Sequence, residues 1–186
     1  MVTIASLWLP ILLSAVVVYI ASSLVHMVMP WHKGDYRALP DEERALESLR
    51  QLQLQDGNYH APHAVSAANT KDPAFKQKLQ QGPLVFLYIR RGGSVAMGPM
   101  LGQWFVYTLL IAALCAYLCS HALAAGASYL TVFRISGFGA FLAYAGAQPI
   151  DSIWFFRNWS TSLKNVFDGL IYALLTGGVF GWLWPR

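Results

Sequence analysis

Two stretches of this chain carry no charged side chain over lengths that indicate a lipid environment. Residues 3–28 contain no Asp, Glu, Lys or Arg, and residues 92–133 contain none either. A helix needs about 20 predominantly apolar residues to cross the hydrocarbon core of a bilayer. The first stretch therefore predicts one crossing. The second is long enough for two crossings joined by a tight turn.

The composition supports a membrane protein and excludes several other classes. Hydrophobic residues make up 56 % of the 186 residues and charged residues only 12 %, whereas a soluble domain carries about 25 % charge. This balance excludes intrinsic disorder and a coiled coil. The net charge of +4 comes from scattered basic residues, so nucleic acid is not an expected partner. The two cysteines, Cys115 and Cys119, are too few for a disulfide framework. They are expected to be small packing residues on one face of a helix.

The predicted fold class is an all-α membrane protein. It is a four-transmembrane-helix bundle with a small α+β cytoplasmic insertion between spans one and two. A cleaved signal peptide is the alternative for the N-terminus, but such peptides begin with basic residues and none precedes Lys33. The predicted divisions are a first transmembrane helix at 1–29, an insertion at 30–98, spans at 99–119, 125–147 and 163–184, and an interfacial segment at 150–160.

The distribution of basic residues predicts the orientation of these spans. Most of the 13 Lys and Arg residues lie in the insertion, and Arg157 and Lys164 flank the fourth span on the same side. Cytoplasmic loops of membrane proteins carry such an excess. The sequence therefore predicts a multi-pass membrane protein, with the insertion in the cytoplasm and both termini outside.

The sequence patterns of the insertion predict a small ordered domain. Proline followed by acidic residues at 40–43 predicts a helix start, and Asp72-Pro73 predicts a second one that Gly82 ends. The run 83–89 is rich in β-forming residues and predicts a strand, with a short extended segment at 59–63 before it. So few apolar residues cannot build a large core.

Arg134 lies about ten residues into the predicted third span, which would place it near the middle of the bilayer. A central arginine costs at least about 2.5–3.5 kcal/mol, so it needs a partner or water. Asp168 is the one acidic residue inside another predicted span, and the two are expected to form an intramembrane polar pair beside Tyr172. The pair could fix helix packing or line an ion pathway. Lys164 could satisfy Asp168 instead.

Small residues recur every four positions along the fourth span. Such ridges let two helix backbones approach closely, which stabilises contacts between helices in lipid. The ridge could pack on span three of the same chain or on another protomer. The predicted packing residues are Gly169, Ala173, Gly177 and Gly181 in span four and Gly139 and Ala143 in span three.

Four of the five histidines fall near the inner end of the first span or in the insertion. They are His26, His32, His60 and His63. Imidazoles and nearby thioethers can bind metal ions or haem, although no spacing here matches a known ligand set. No cofactor is predicted, because interfacial histidines commonly only form hydrogen bonds. A metal ion or haem bound by these histidines is the alternative.

The segment HMVMPWHKGDY at 26–36, the pair Gly82-Pro83 and the C-terminal FGWLWP at 180–185 together resemble a family of uncharacterised bacterial four-span inner-membrane proteins. This resemblance covers most of the chain. It implies a multi-pass protein of the bacterial cell inner membrane, in which the two outer termini would be periplasmic, but it brings no activity and no catalytic residues.

No sequence motif for catalysis is evident, so the expected function is an accessory, assembly or structural subunit of a membrane complex. The expected partners are the lipid bilayer and either other membrane subunits or further copies of the chain. Two alternatives remain open. One is a small transporter or channel that uses Arg134 and Asp168. The other is a metal- or haem-binding protein that uses the histidines.

Overall fold

The computed structural model describes residues 2–93 and 96–186 and is mostly helical, with one small sheet. The chain divides into two compact units. The first comprises Met1–Arg37 and Ala96–Arg186, and the second comprises Ala38–Val95.

Three helical segments of the first unit are long and apolar enough to cross a membrane. They are Ile4–Val28, Met97–Ala122 and Tyr129–Trp154. This confirms the predicted membrane-helix architecture in its coarser form. The predicted fourth span falls within a helix at Trp159–Trp182, which is not one of the three. Polar side chains such as Lys164 and Asp168 in its first half lower its mean hydropathy, so the count of four spans is not confirmed.

The helices of the first unit are continuous over most of their length. α1 (Trp8–Ser23) follows a 3-10 turn at Ile4–Leu7 and runs into a π-helical turn at Leu24–Val28. The helices that belong to this unit after the insertion are α4 (Met97–Ala122), α5 (Tyr129–Ala145), α6 (Gln148–Trp154) and α7 (Trp159–Trp182). The segment predicted to be interfacial is therefore α6 followed by four irregular residues and the first turn of α7.

The four long helices form a bundle in which each packs against two others. α1 contacts α4 and α7, while α5 contacts α4 and, most extensively, α7. Buried residues from all four helices form one core. Its fully buried side chains include Val18 of α1, Cys119 of α4, Val132 of α5 and Phe180 of α7.

The glycine ridge of α7 lies against α5 of the same chain. A methyl group added at Gly169 would lie 2.8 Å from Ala145, and one added at Gly177 would lie 2.8 Å from the Phe133 carbonyl. One of the two packing residues predicted in span three, Gly139, does not lie opposite the ridge. Gly139 faces Leu118 and Cys115 of α4, because successive small residues of α5 point to different sides of the helix.

The second unit contains two short α-helices and a two-stranded antiparallel sheet. α2 spans Glu42–Gln51 and α3 spans Pro73–Gln81. Strand β1 (Gly57–Ala61) pairs antiparallel with β2 (Val85–Ile89), with Tyr59 opposite Leu87. Asp41 and Asp72 accept hydrogen bonds from the first turns of the two helices, as the sequence patterns lead one to expect. None of the described residues 38–93 is fully buried.

Candidate functional site

The site begins at the end of α1, where the helix widens into its π-helical turn. His26 lies in this turn, and its Nδ1 is 3.0 Å from the Ser22 carbonyl oxygen, to which it donates. Pro30 disfavours helical backbone at Met29, which adopts an extended conformation and ends the helix. Single π-helical turns often occur at functional sites because they redirect side chains.

The next turn places a second histidine beside the first. Pro30–His32 forms a 3-10 turn with proline at its first position. The ring of Trp31 packs on Phe167 of α7 at 5.7 Å, which holds the turn against that helix. As a result the rings of His26 and His32 stack at a centroid distance of 4.4 Å and an angle of 6°.

His32 lies between two carboxylates. Its Nδ1 is 2.6 Å from Asp35 Oδ2, and its Nε2 is 2.8 Å from Asp168 Oδ2 of α7. Each of these contacts requires a proton between nitrogen and oxygen. The His32–Asp168 contact ties the segment after α1 to the middle of α7, across 136 residues of sequence.

A lysine also belongs to this group of interacting charged residues. Lys164 donates from Nζ to Asp35 Oδ1 at 2.6 Å. Burial raises the pKa of the Asp35 carboxyl, but the hydrogen bonds from Lys164 and His32 outweigh it, so the pKa lies below its ordinary value of 3.8. Asp35 therefore stays charged at neutral pH and orients the His32 ring.

His26, His32 and Asp168 together present a possible metal-ligand set. One ligand atom from each residue lies within 4.8 Å of the other two. Each histidine has its Nδ1 on an oxygen, a carbonyl for His26 and a carboxylate for His32. Metal-binding histidines commonly use one ring nitrogen in this way, because the hydrogen bond fixes the ring orientation and leaves the other nitrogen for the ion.

Two polar atoms in this region are buried without a hydrogen-bond partner among the described residues. They are Asp168 Oδ1 and Tyr172 Oη. Asp168 is 3 % exposed and Tyr172 is 4 % exposed. Burying an unsatisfied polar group costs about 1–3 kcal/mol, and more for a charged one, so such atoms indicate a position where a ligand can bind.

Both residues line a cavity of about 480 Å³ between the helices of the first unit. One wall is aromatic: Tyr144 and Tyr172 meet edge to face at 5.5 Å, and Trp104 lies 6.4 Å from Tyr172. Trp104 is held in place by a hydrogen bond from Nε1 to Ser22 Oγ of 2.7 Å. His26 and the amide side chains of Gln148 and Asn165 also reach the cavity.

The structure does not form the predicted pair of Arg134 and Asp168. Among the described residues the ion-pair partner of Asp168 is His32, and the Arg134 side chain is exposed on α5. Because α5 begins at Tyr129, Arg134 lies only about 7.5 Å along the helix from its start, not near the bilayer middle. A long cationic side chain at that depth can extend to the interface. Lys164 does not satisfy Asp168 either, since it binds Asp35.

The four predicted histidines form two separate pairs. His26 and His32 meet in the first unit, while His60 Nε2 and His63 Nδ1 lie 2.8 Å apart in the second. Neither the place of Asp35 in the site nor the contact of Asp168 with a histidine was predicted from the sequence. The spacing His32-x-x-Asp35 after a proline turn was the one signal that could have indicated Asp35.

Comparison with known protein families, with curated proteins and with solved structures finds no match to this chain.

Proposed function

We propose that this protein is an integral membrane protein that binds a divalent transition-metal ion through His26, His32 and Asp168. The observation that carries the proposal is the proximity of two imidazoles and a carboxylate, whose ligand atoms lie within 4.8 Å of one another, with each histidine oriented by a hydrogen bond at its Nδ1. Catalytic zinc sites use three protein ligands of these types, and non-haem iron sites use two histidines and one carboxylate.

Metal binding would change the contacts within the group in a defined way. His32 Nε2 and Asp168 Oδ2 are 2.8 Å apart and form a hydrogen bond. Bonds of about 2.0–2.1 Å in tetrahedral geometry separate ligand atoms by roughly 3.3 Å. The ion would therefore take the place of this hydrogen bond, and these two atoms would move apart by about half an ångström. The His26 ring would also have to tilt out of its parallel stack with His32, because an imidazole nitrogen binds an ion in the plane of its ring. Asp35, held by Lys164, would remain the hydrogen-bond acceptor of His32.

A bare ion fits this arrangement better than haem. The axial ligands of a haem lie on opposite faces of the porphyrin, with the ring system between them. The rings of His26 and His32 instead stack directly on each other at 4.4 Å. No porphyrin can enter between rings at that separation without dismantling the turn at Pro30–His32.

We also propose that α7 crosses the membrane as a fourth span, inside the bundle. It is 24 residues long, or about 36 Å, and it packs on both α5 and α1. Its polar residues Asp168, Tyr172 and Thr176 are buried, so they do not face lipid. The metal site would then lie near the end of the bundle at which α1 ends and α7 begins. The basic residues of the sequence predict that this end is cytoplasmic. The family resemblance of the sequence implies that the membrane is a bacterial inner membrane.

The alternative functions now differ in their support. The transporter hypothesis depended on the pair of Arg134 and Asp168, which the structure does not form. A role as an accessory or assembly subunit remains a prediction and is compatible with metal binding. The glycine ridge gives no particular support to a homo-oligomer, because it lies against α5 of the same chain.

Metal analysis of the purified protein tests the proposal. The protein is extracted in mild detergent, stripped with a chelator, and titrated with Zn²⁺ or Co²⁺ under conditions that keep it folded. We expect one ion per chain, at least tenfold weaker binding in His26→Ala and in Asp168→Asn, and no change in the double variant of His60→Ala and His63→Ala.

The double variant is the matched control, because it removes the other histidine pair of the chain. If the wild-type protein binds no ion, or if the control variant loses its ion while His26→Ala retains it, the proposed site is wrong.

A further inference from the structure

The cavity next to the metal-ligand group is larger than an ion requires. At about 480 Å³ it falls in the size range of small-molecule sites. Two of the three proposed metal ligands, His26 and Asp168, line it, so an ion held by them would border the cavity. Three protein ligands leave at least one coordination position of a transition-metal ion for another donor.

The walls of the cavity determine what kind of molecule fits beside the ion. Away from the histidine and the aspartate the lining is mostly apolar or aromatic, with Leu101, Ala143 and Trp104 among its residues. Aromatic side chains favour flat apolar groups, which they contact at ring-to-ring distances of 4.5–7 Å. The cavity therefore suits an apolar or aromatic body with one polar end directed at the ion.

The Tyr172 hydroxyl indicates the chemistry of that polar end. Tyr172 lines the cavity, and its buried hydroxyl oxygen makes no hydrogen bond with any described residue. A phenol hydroxyl donates readily to an oxygen atom, in particular to one that carries negative charge. The same oxygen, or one bonded to the same carbon, can also bind the ion. Tyr172 is one turn after Asp168 on α7, so both groups face the same side.

We infer that the cavity binds an apolar or aromatic molecule with an anionic oxygen group, such as a carboxylate or a hydroxamate, which ligates the metal ion and accepts a hydrogen bond from Tyr172. This inference rests on the proposed metal site. With the ion present, the divalent charge exceeds the single negative charge of Asp168, and the excess favours an anionic ligand. An organic ammonium ion would suit the cavity only without the metal, paired with Asp168 in the aromatic wall.

Cobalt-loaded protein provides a test, because the visible absorption of Co²⁺ reports changes of its ligands. The probes are benzohydroxamate, benzamide, which lacks the chelating group, and acetohydroxamate, which lacks the ring. We expect benzohydroxamate to change the spectrum saturably, acetohydroxamate to bind at least tenfold more weakly, and benzamide to cause no change.

Two variants test the hydroxyl group and the apolar space of the cavity separately, and both leave the metal ligands unchanged. Tyr172→Phe removes one hydroxyl and should weaken benzohydroxamate roughly three- to tenfold with cobalt binding retained. Ala143→Phe fills part of the cavity and should weaken benzohydroxamate more than acetohydroxamate. Tyr117→Phe, in which the lost hydroxyl lies outside the cavity, is the matched control and should behave as the wild type.

The outcomes distinguish this inference from the proposed function. If cobalt binds but benzohydroxamate leaves its spectrum unchanged, or if acetohydroxamate binds equally well, the ligand inference is wrong and the metal site stands. If cobalt does not bind, the proposed function fails and the ligand inference fails with it. Saturable binding of benzylammonium to the metal-free protein, without any response to benzohydroxamate on the loaded protein, would overturn the inferred anionic ligand.

Discussion

The contact between α5 and α7 can be tested by comparing two adjacent glycines of α7. Gly177 lies against α5, where an added methyl group would come within 2.8 Å of the Phe133 carbonyl oxygen and 3.3 Å of Gly137 Cα. Gly178 points elsewhere, and a methyl group there would meet only the Tyr129 hydroxyl, at 3.8 Å. The first position is closed by backbone atoms, which cannot rotate away, while the second has room.

The two alanine variants should therefore differ in stability. Both substitutions gain the same helix propensity, about 1 kcal/mol, so this contribution cancels in the comparison. What remains is the cost of overpacking at Gly177, because the α5 and α7 backbones must separate by several tenths of an ångström. Such insertions cost about 1–3 kcal/mol. We expect Gly177→Ala to be less stable than Gly178→Ala by that amount, or about 2–12 °C in Tm for a chain of this size.

Thermal unfolding of both variants in the same detergent measures this difference. Gly178→Ala should unfold at or slightly above the wild-type temperature, and Gly177→Ala clearly below Gly178→Ala. Equal melting temperatures would mean that the ridge of α7 does not lie against α5. Our explanation for the spacing of its small residues would then be wrong.

Three further predictions concern the site and the topology. Double-variant cycles should show additive losses of stability for Arg134→Ala with Asp168→Ala, and clear non-additivity for His32→Ala with Asp168→Ala; the reverse pattern would restore the pair predicted from the sequence. The lowered pKa of Asp35 means that its charged contacts stabilise the fold above its ordinary pKa of 3.8 and are lost as pH falls through the lower, folded-state value. In melting curves Asp35→Asn should therefore be less stable than the wild type at pH 7, the gap should narrow as pH falls below 3.8, and a gap that does not vary with pH would contradict this. In intact cells an impermeant maleimide should label Arg186→Cys and not Thr70→Cys, whereas labelling of position 70 would reverse the proposed orientation.

The local elements of the chain could be predicted from the sequence because their causes are local. Helix starts at Asp41 and Asp72, the helix end at Gly82 and the strand at Val85–Ile89 follow from capping residues, glycine and β-forming side chains within a few positions. The long apolar segments likewise depend only on composition over about 20 residues. The recurrence of small residues in α7 was also a local signal, and it identified the face that packs.

The partners of individual side chains depended on the tertiary structure. Arg134 and Asp168 looked complementary because they were an arginine and the one acidic residue within adjacent predicted spans. The start of α5 at Tyr129, however, leaves Arg134 near the beginning of that helix and exposed. Asp168 instead meets His32, which reaches it only because Pro30 ends the first helix and turns the chain against α7. Local sequence patterns were sufficient to predict which segments are helical and which of them suit a membrane. Only the packing of α1 on α7 brought His26, His32 and Asp168 together, since residues 136 positions apart meet through the fold and not through any local pattern.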